Sequence, residues 1–233
     1  MRKYLLHILI ISFIFLLAPT VHVATYAGEI EDAKEEVRNN PDDAGAHNNL
    51  GVSYRNSGMY KEAKESYEQA LRIDPDYAEA HRNLGTAYIG LGKLKKAIKS
   101  YKQALRIDPD YAEAHYDLGT AYVGLGKLKK ALKSFKQAVR FNPDLEQAHY
   151  NLAYTYFYLG KNEESFESYK QAVRINPDYA KAQYMLGLTY LDLNDRDSAL
   201  EQYEILKKLD TELANKLFNV IRIYDTRENN TQP

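Results

Sequence analysis

The chain has no cysteine and no tryptophan, and only three methionines among its 233 residues. Without cysteine there is no disulfide framework, no thiolate nucleophile and no thiolate metal site. An excess of charge is also missing: 31 Lys and Arg stand against 32 Asp and Glu, a formal net charge of −1. That balance argues against a general nucleic-acid or anionic-membrane partner, which would favour a marked basic excess. Long apolar runs are scarce too. The longest, YLLHILIISFIFLLA at 4–18, stops before Pro19, whereas a spanning helix wants about 20 apolar residues.

That run has a context of its own. Arg2 and Lys3 precede it, and the small-residue stretch Thr25-Tyr26-Ala27 follows. A basic start, a short apolar core and a small-residue site are the three parts of a secretory signal. Residues 1–27 are therefore expected to be a signal peptide cleaved after Ala27, or else an uncleaved N-terminal membrane anchor. Either places the rest of the chain outside the cytoplasm: periplasmic or secreted if cleaved, membrane-anchored otherwise.

What the remainder does have is a period. QALRIDPDYAEAH occurs at 69–81 and again, unchanged, at 103–115, and Pro41, Pro75, Pro109, Pro143 and Pro177 fall every 34 residues. Repeats of 20–50 residues mark stacked architectures, in which no unit buries its apolar face alone. His47, Leu50, Gly51 and Tyr54 follow i, i+3, i+4, i+7 spacing, one stripe of a helix, and the stripe recurs at His81, His115, His149 and Gln183. A second stripe runs through Ala63, Tyr67 and Ala70. Between the two lie Gly58, Gly92, Gly126, Gly160 and Asn194, residue types that accept the positive φ of a helix end. The residue before each Pro is pushed out of the α region. Asp76 with Glu79, and Asp110 with Glu113, read as capping boxes for the next helix.

These columns resemble the tetratricopeptide repeat: the 34-residue period, the Leu-Gly-x-x-Tyr core, the small column Ala63, Ala97, Ala131, Ser165, Ala199, the aromatic column Tyr67, Tyr101, Phe135, Tyr169, Tyr203, and the prolines. The expected fold is all-α, an α-solenoid of five 34-residue helix-turn-helix repeats (44–77, 78–111, 112–145, 146–179, 180–213) with a C-terminal capping helix. A covering helix at 28–43 precedes the repeats. The capping helix, 214–224, follows from the spacing of Leu213, Leu217, Val220, Ile221 and Tyr224, and 225–233 is expected to be a disordered tail.

No nucleophile is paired with a base, no Gly-rich loop could cradle phosphate, and no residues are left for a second domain, so no enzyme and no cofactor are expected. The His column cannot hold a metal, because equivalent positions on packed helices are about 8–10 Å apart and zinc needs ligands at about 2 Å. The Lys clusters at 93–102 and 127–136 read as a solvated outer face. One stripe beside the core remains, and the resemblance implies that it lines a concave groove receiving an extended peptide or helix from another protein. It changes from Asn48, Val52 and Arg55, through Arg82 and Tyr116, to Tyr150, Tyr154, Phe157, Tyr184, Leu188 and Leu191. Large aromatics suit partner binding because they bury much area at small entropy cost, so the third to fifth repeats are the expected site, with Arg55 and Arg82 as weaker charged contacts. The family's clamp for chaperone C-terminal carboxylates is absent: Asn83 fits its middle element, but Asn48, Val52, Glu113 and Asp117 stand where Lys, Asn, Lys and Arg would be needed. The expected role is a protein–protein interaction scaffold or adaptor; the alternative is a structural or accessory subunit of an envelope or secretion assembly.

Export has a direct readout. The short apolar run and Pro19 predict a mature chain beginning at Gly28 and recovered in the soluble fraction. N-terminal sequencing of the exported protein checks this, and a Met1 start in the membrane fraction identifies the anchored form instead.

Overall fold

The computed structural model describes residues 23–229, with side chains over 28–226. The expected signal segment lies outside the described residues as far as position 22. The described residues form twelve α-helices and no strand, and the chain divides into two compact units, Met1–Pro75 and Asp76–Pro233.

The first unit holds α1 (Val23–Asn39), α2 (Ala44–Asn56) and α3 (Tyr60–Ile73). The helix α1 begins before the expected cleavage point at Ala27 and packs on α2 through the buried Ala33. Asp43 caps α2 by accepting the Gly45 N–H at 2.8 Å. The second unit holds four helical hairpins and a closing helix: α4 (Ala78–Gly90) with α5 (Leu94–Ile107), α6 (Ala112–Gly124) with α7 (Leu128–Phe141), α8 (Glu146–Tyr158) with α9 (Asn162–Ile175), α10 (Ala180–Asp192) with α11 (Arg196–Leu209), then α12 (Thr211–Asn229). Within this unit each second helix packs on its own first helix, α5, α7 and α9 also pack on the first helix of the next hairpin, and α11 packs on α12, the arrangement of an α-solenoid.

Two local devices make the hairpins. At the tip, Gly126 sits at φ 67° and Asn194 at φ 61°. This lets Lys127 N donate to Tyr122 O and Gly126 N to Val123 O, both at 2.8 Å, a Schellman closure of the first helix. At the corner between hairpins, Asp108, Asn142 and Asn176 precede proline and accept the N–H two residues on, each at 3.1 Å. The expected capping box at Asp110 and Glu113 does not form. The N-cap positions are Tyr77 and Tyr111, without a side-chain bond, one residue later than Asp76 and Asp110. The pre-proline residue fixes the corner from the other side, and Glu79 instead accepts from Asn83 Nδ2 at 3.3 Å.

The His column completes that corner. His115 and His149 donate from Nε2 to the carbonyls of Pro109 and Pro143 at 2.9 Å, as His47 does to Pro41. Gln183 makes the same bond to Pro177 at 2.8 Å. The histidines are half-buried, and what the column conserves along the chain is a donor reaching the proline carbonyl six residues back.

The core is a chain of ring-on-glycine contacts. A Cβ built on Gly119 would lie 2.6 Å from Cε1 of the fully buried Phe135 ring, and Gly85 meets Tyr101, and Gly51 meets Tyr67, at 2.5 Å. The fourth hairpin carries Ala153 opposite Tyr169, with Ser165 Oγ donating to the Ala153 carbonyl at 2.8 Å. In the fifth, Gly187 faces Leu217 of α12, whose Cδ2 would lie 2.6 Å from an added Cβ. The closing helix runs to Asn229, five residues beyond the expected end at 224. Its extension is held by Asp225, which accepts from Arg196 Nε and Nη2 at 2.5 and 3.0 Å; the tail expected from 225 is helical up to 229.

The glycine contact predicts that Gly119→Leu destabilises the chain by about 1–3 kcal/mol, the usual range for overpacking. Because the clash is with one ring, Phe135→Ala should cost less in the Gly119→Leu background than alone. Denaturant melts of the four chains give the coupling.

Candidate partner-binding surface

The stripe beside the core does not behave as one surface. At its start, Arg55 is half-buried in the first unit and donates to Asn56 Oδ1 at 3.2 Å. In the second unit, Arg82 of α4 donates from Nε to Asp117 Oδ2 of α6 at 2.7 Å, and its guanidinium lies 5.7 Å from the Tyr111 ring centroid. Burial alone would lower the Arg82 pKa; the Asp117 carboxylate outweighs it and raises the pKa. Arg82 is thus paired within the fold, with Asp117 and against the Tyr111 ring. One hairpin further, Tyr116 Oη of α6 accepts from Asn151 Nδ2 of α8 at 3.1 Å. Both bonds link a first helix to the next first helix at an offset of 35 residues.

The aromatic end separates into core and surface. Tyr150 is buried, its ring 5.7 Å from Tyr169 and 5.2 Å from Tyr179. Leu191 is buried in the terminal cluster with Leu206, Leu217 and Ile221. These two are packing residues first, because the stack closes over them. Tyr154, Phe157, Tyr184 and Leu188 remain half-buried, with Tyr154 and Phe157 both against Tyr158 at 4.5 and 5.6 Å.

Phe157 and Leu188 form one wall of a cavity of about 270 Å³ between α8, α10 and α12. Met185 and Leu191 line it too, Val220, Ile223 and Tyr224 of the closing helix add their side chains to the wall, and Thr189 and Asp192 bring polar atoms to it. Ile223 is 54 % exposed, the most open large apolar side chain on this wall. The three α12 residues were missed as site residues in the sequence, where Val220 and Tyr224 read only as parts of a capping stripe. Among the described residues no group of three or more His, Asp or Glu could hold a metal ion.

Helical hairpins stacked in register, sealed by an amphipathic helix and open along one apolar groove, define a repeat protein of the helical-solenoid class. The chain belongs to the tetratricopeptide repeat family: TPR repeat profiles match 53–92, 85–126, 120–157 and 153–194, and a tetratricopeptide repeat profile matches 180–212. Among solved structures, MamA is 27% identical over 71% of this chain and 97% of its own, with a TM-score of 0.63. YrrB, described as a TPR protein with an unusual peptide-binding site, is 25% identical over 82% of this chain and 99% of its own, also at 0.63. The pilF protein of Pseudomonas aeruginosa shares the fold, at 20% identity, 83% and 90% coverage and a TM-score of 0.74. No curated protein sequence matches the chain.

The tyrosines behind the groove carry a pH signature. Burial pushes the Tyr150 pKa up to about 12, and burial also raises those of Tyr154, Tyr169 and Tyr179. A raised folded pKa means that the neutral phenol is favoured in the fold. Its contribution is complete below the unfolded value of about 10 and is lost as pH rises through the folded value. Stability should therefore fall steeply above about pH 10. The Tyr169 hydroxyl is buried with no hydrogen-bond partner, so Tyr169→Phe should be neutral or stabilising at pH 7 and should flatten the alkaline fall. Thermal melts from pH 7 to 11.5 measure both effects.

Proposed function

We propose that the chain is a non-enzymatic interaction scaffold acting outside the cytoplasm, which binds an apolar segment of another protein in the groove between α8, α10 and α12. The observation that carries this reading is the cavity of about 270 Å³ walled by Phe157, Leu188, Val220 and Ile223. Apolar walls with a few polar atoms are the usual make-up of a recognition pocket. The first-helix face ahead of it is closed by Arg82–Asp117 and Tyr116–Asn151, so apolar anchors fit at the C-terminal end of the stack. Membership of a family of helical repeats, and the peptide-binding site named for YrrB, agree with a protein ligand. Action outside the cytoplasm rests on the basic start and apolar run at 2–18.

The test is a photo-crosslinker at Leu188, with a control at Lys207 on the second-helix face of the last hairpin. A partner segment should be captured from Leu188 and not from Lys207. Phe157→Ala with Leu188→Ala should weaken that partner's affinity about thirtyfold, the loss of roughly 2 kcal/mol expected for a desolvated anchor. Tyr150→Ala should instead lower stability by about 3–5 kcal/mol, as for a buried aromatic. Equal capture from both positions, or unchanged affinity in the folded double variant, overturns the reading.

A further inference from the structure

The overall charge balance conceals a local imbalance. Residues 93–107 carry Lys93, Lys95, Lys96, Lys99, Lys102 and Arg106 with no acid, and 127–141 carry Lys127, Lys129, Lys130, Lys133, Lys136 and Arg140, again with no acid. On α5 the residues Lys95, Lys99, Lys102 and Arg106 follow i, i+4, i+7, i+11 spacing, one exposed face about 16 Å long. Lys129, Lys133, Lys136 and Arg140 repeat it on α7. The same positions read Glu163, Glu167, Lys170, Arg174 on α9 and Asp197, Glu201, Glu204, Lys208 on α11. The repeat fold does not require the basic row; the mixed rows keep the other second helices solvated equally well.

The row also works against its own helices. Like charges one turn apart destabilise a helix, and cations at an N-terminus oppose the helix dipole. Both α5 and α7 open with lysines and have no acid in the first turn, whereas α9 and α11 open with Glu163, Glu164 and Asp197. Compensation is sparse. Arg106 has Asp76 at 3.7 Å, itself well exposed, and the Lys136 charge reaches Glu164, which is already paired with Lys161 at 2.6 Å. Lys96 and Lys130 lie over the rings of Tyr88 and Tyr122. None of the ten lysines forms an ion pair among the described residues.

We propose that this two-helix lysine face docks on an anionic phospholipid bilayer. Charge complementarity is the argument, and the residue type selects the partner. Ten of the twelve cations are Lys, a hydrated point charge suited to a diffuse field of headgroups, whereas Arg dominates bidentate recognition and Lys is depleted from protein interfaces. Clustered basic side chains are drawn to anionic leaflets additively and within a Debye length.

The test is co-sedimentation of the full chain with lipid vesicles. One set is phosphatidylcholine alone, and the other contains 30% phosphatidylglycerol. The variants are Lys95→Gln/Lys99→Gln/Lys129→Gln/Lys133→Gln and, as a charge control, Lys170→Gln/Lys207→Gln. The quadruple variant should bind anionic vesicles at least tenfold more weakly than wild type, and the control should match wild type. The difference should vanish on neutral vesicles and at 0.5 M salt. The quadruple variant should melt no lower than wild type, since it relieves repulsion. Equal binding of wild type and the quadruple variant to anionic vesicles overturns the proposal. So does salt-sensitive binding of duplex DNA or a poly-glutamate peptide without vesicle binding.

Discussion

The contact of an aromatic ring with a glycine of the paired helix is the constraint on which the rest of this structure depends. Tyr67 on Gly51, Tyr101 on Gly85 and Phe135 on Gly119 each place a fully buried ring where even a methyl group would collide. The close approach sets the spacing between the two helices of a hairpin. It puts the small column Ala63, Ala97 and Ala131, all with no exposure, at the same interface. Within the Asp76–Pro233 unit, with spacing and orientation fixed, the other face of each first helix is presented to the next hairpin in the same register, and side chains there are free to differ. The Met1–Pro75 unit obeys the same rule within itself, through Gly51 and Tyr67.

The recurring contacts were legible in the sequence because they recur. The glycines at 58, 92, 126 and 160, and Asn194 in their place, announced positive φ before any coordinates, and the backbone has it at all five. The family and the all-α solenoid followed from the same columns. Corners were less legible. Asp76 and Asp110 looked like caps, yet the bond that forms uses the residue before proline, as at Asp108, and the His column closes the corner by donating to the proline carbonyl. A one-residue shift of the N-cap leaves the pattern of letters unchanged, so periodicity could not choose between the two. The closing helix had the same difficulty at its far end: only the Arg196–Asp225 pair, 29 residues apart in sequence, shows why it continues.

The candidate site was legible in direction and not in depth. A helical stripe gives the angle at which a side chain leaves its helix; it does not say what comes to cover it. Tyr150 and Leu191 lie on the same stripe as Phe157 and Leu188, but neighbouring helices bury the first pair and leave the second at a groove wall. Val220, Ile223 and Tyr224 were invisible as site residues because a capping helix was assigned one task. In the structure it has two: Ala214, Leu217 and Ile221 seal the stack, and the adjacent face of the same helix walls the groove.

The 35-residue offset between successive first helices explains why polar and apolar surfaces can share one scaffold. Arg82 meets Asp117, and Tyr116 meets Asn151, at this offset. One step further the pair is Tyr150 and Met185, which pack in the same apolar cluster. An ion pair in one gap, a neutral hydrogen bond in the next and apolar packing in the third all occur at the same 35-residue offset. The chemistry of a gap therefore varies while the register of the repeats is kept. Polar pairs satisfy one another and leave little to offer a ligand, whereas the apolar side chains beside the last gap line a cavity with the closing helix. The second helices show the same freedom on their outer face, where Glu163 and Glu167 occupy the positions held by Lys95 and Lys99. Repetition fixes the frame, and the columns that escape repetition are where function can differ from hairpin to hairpin.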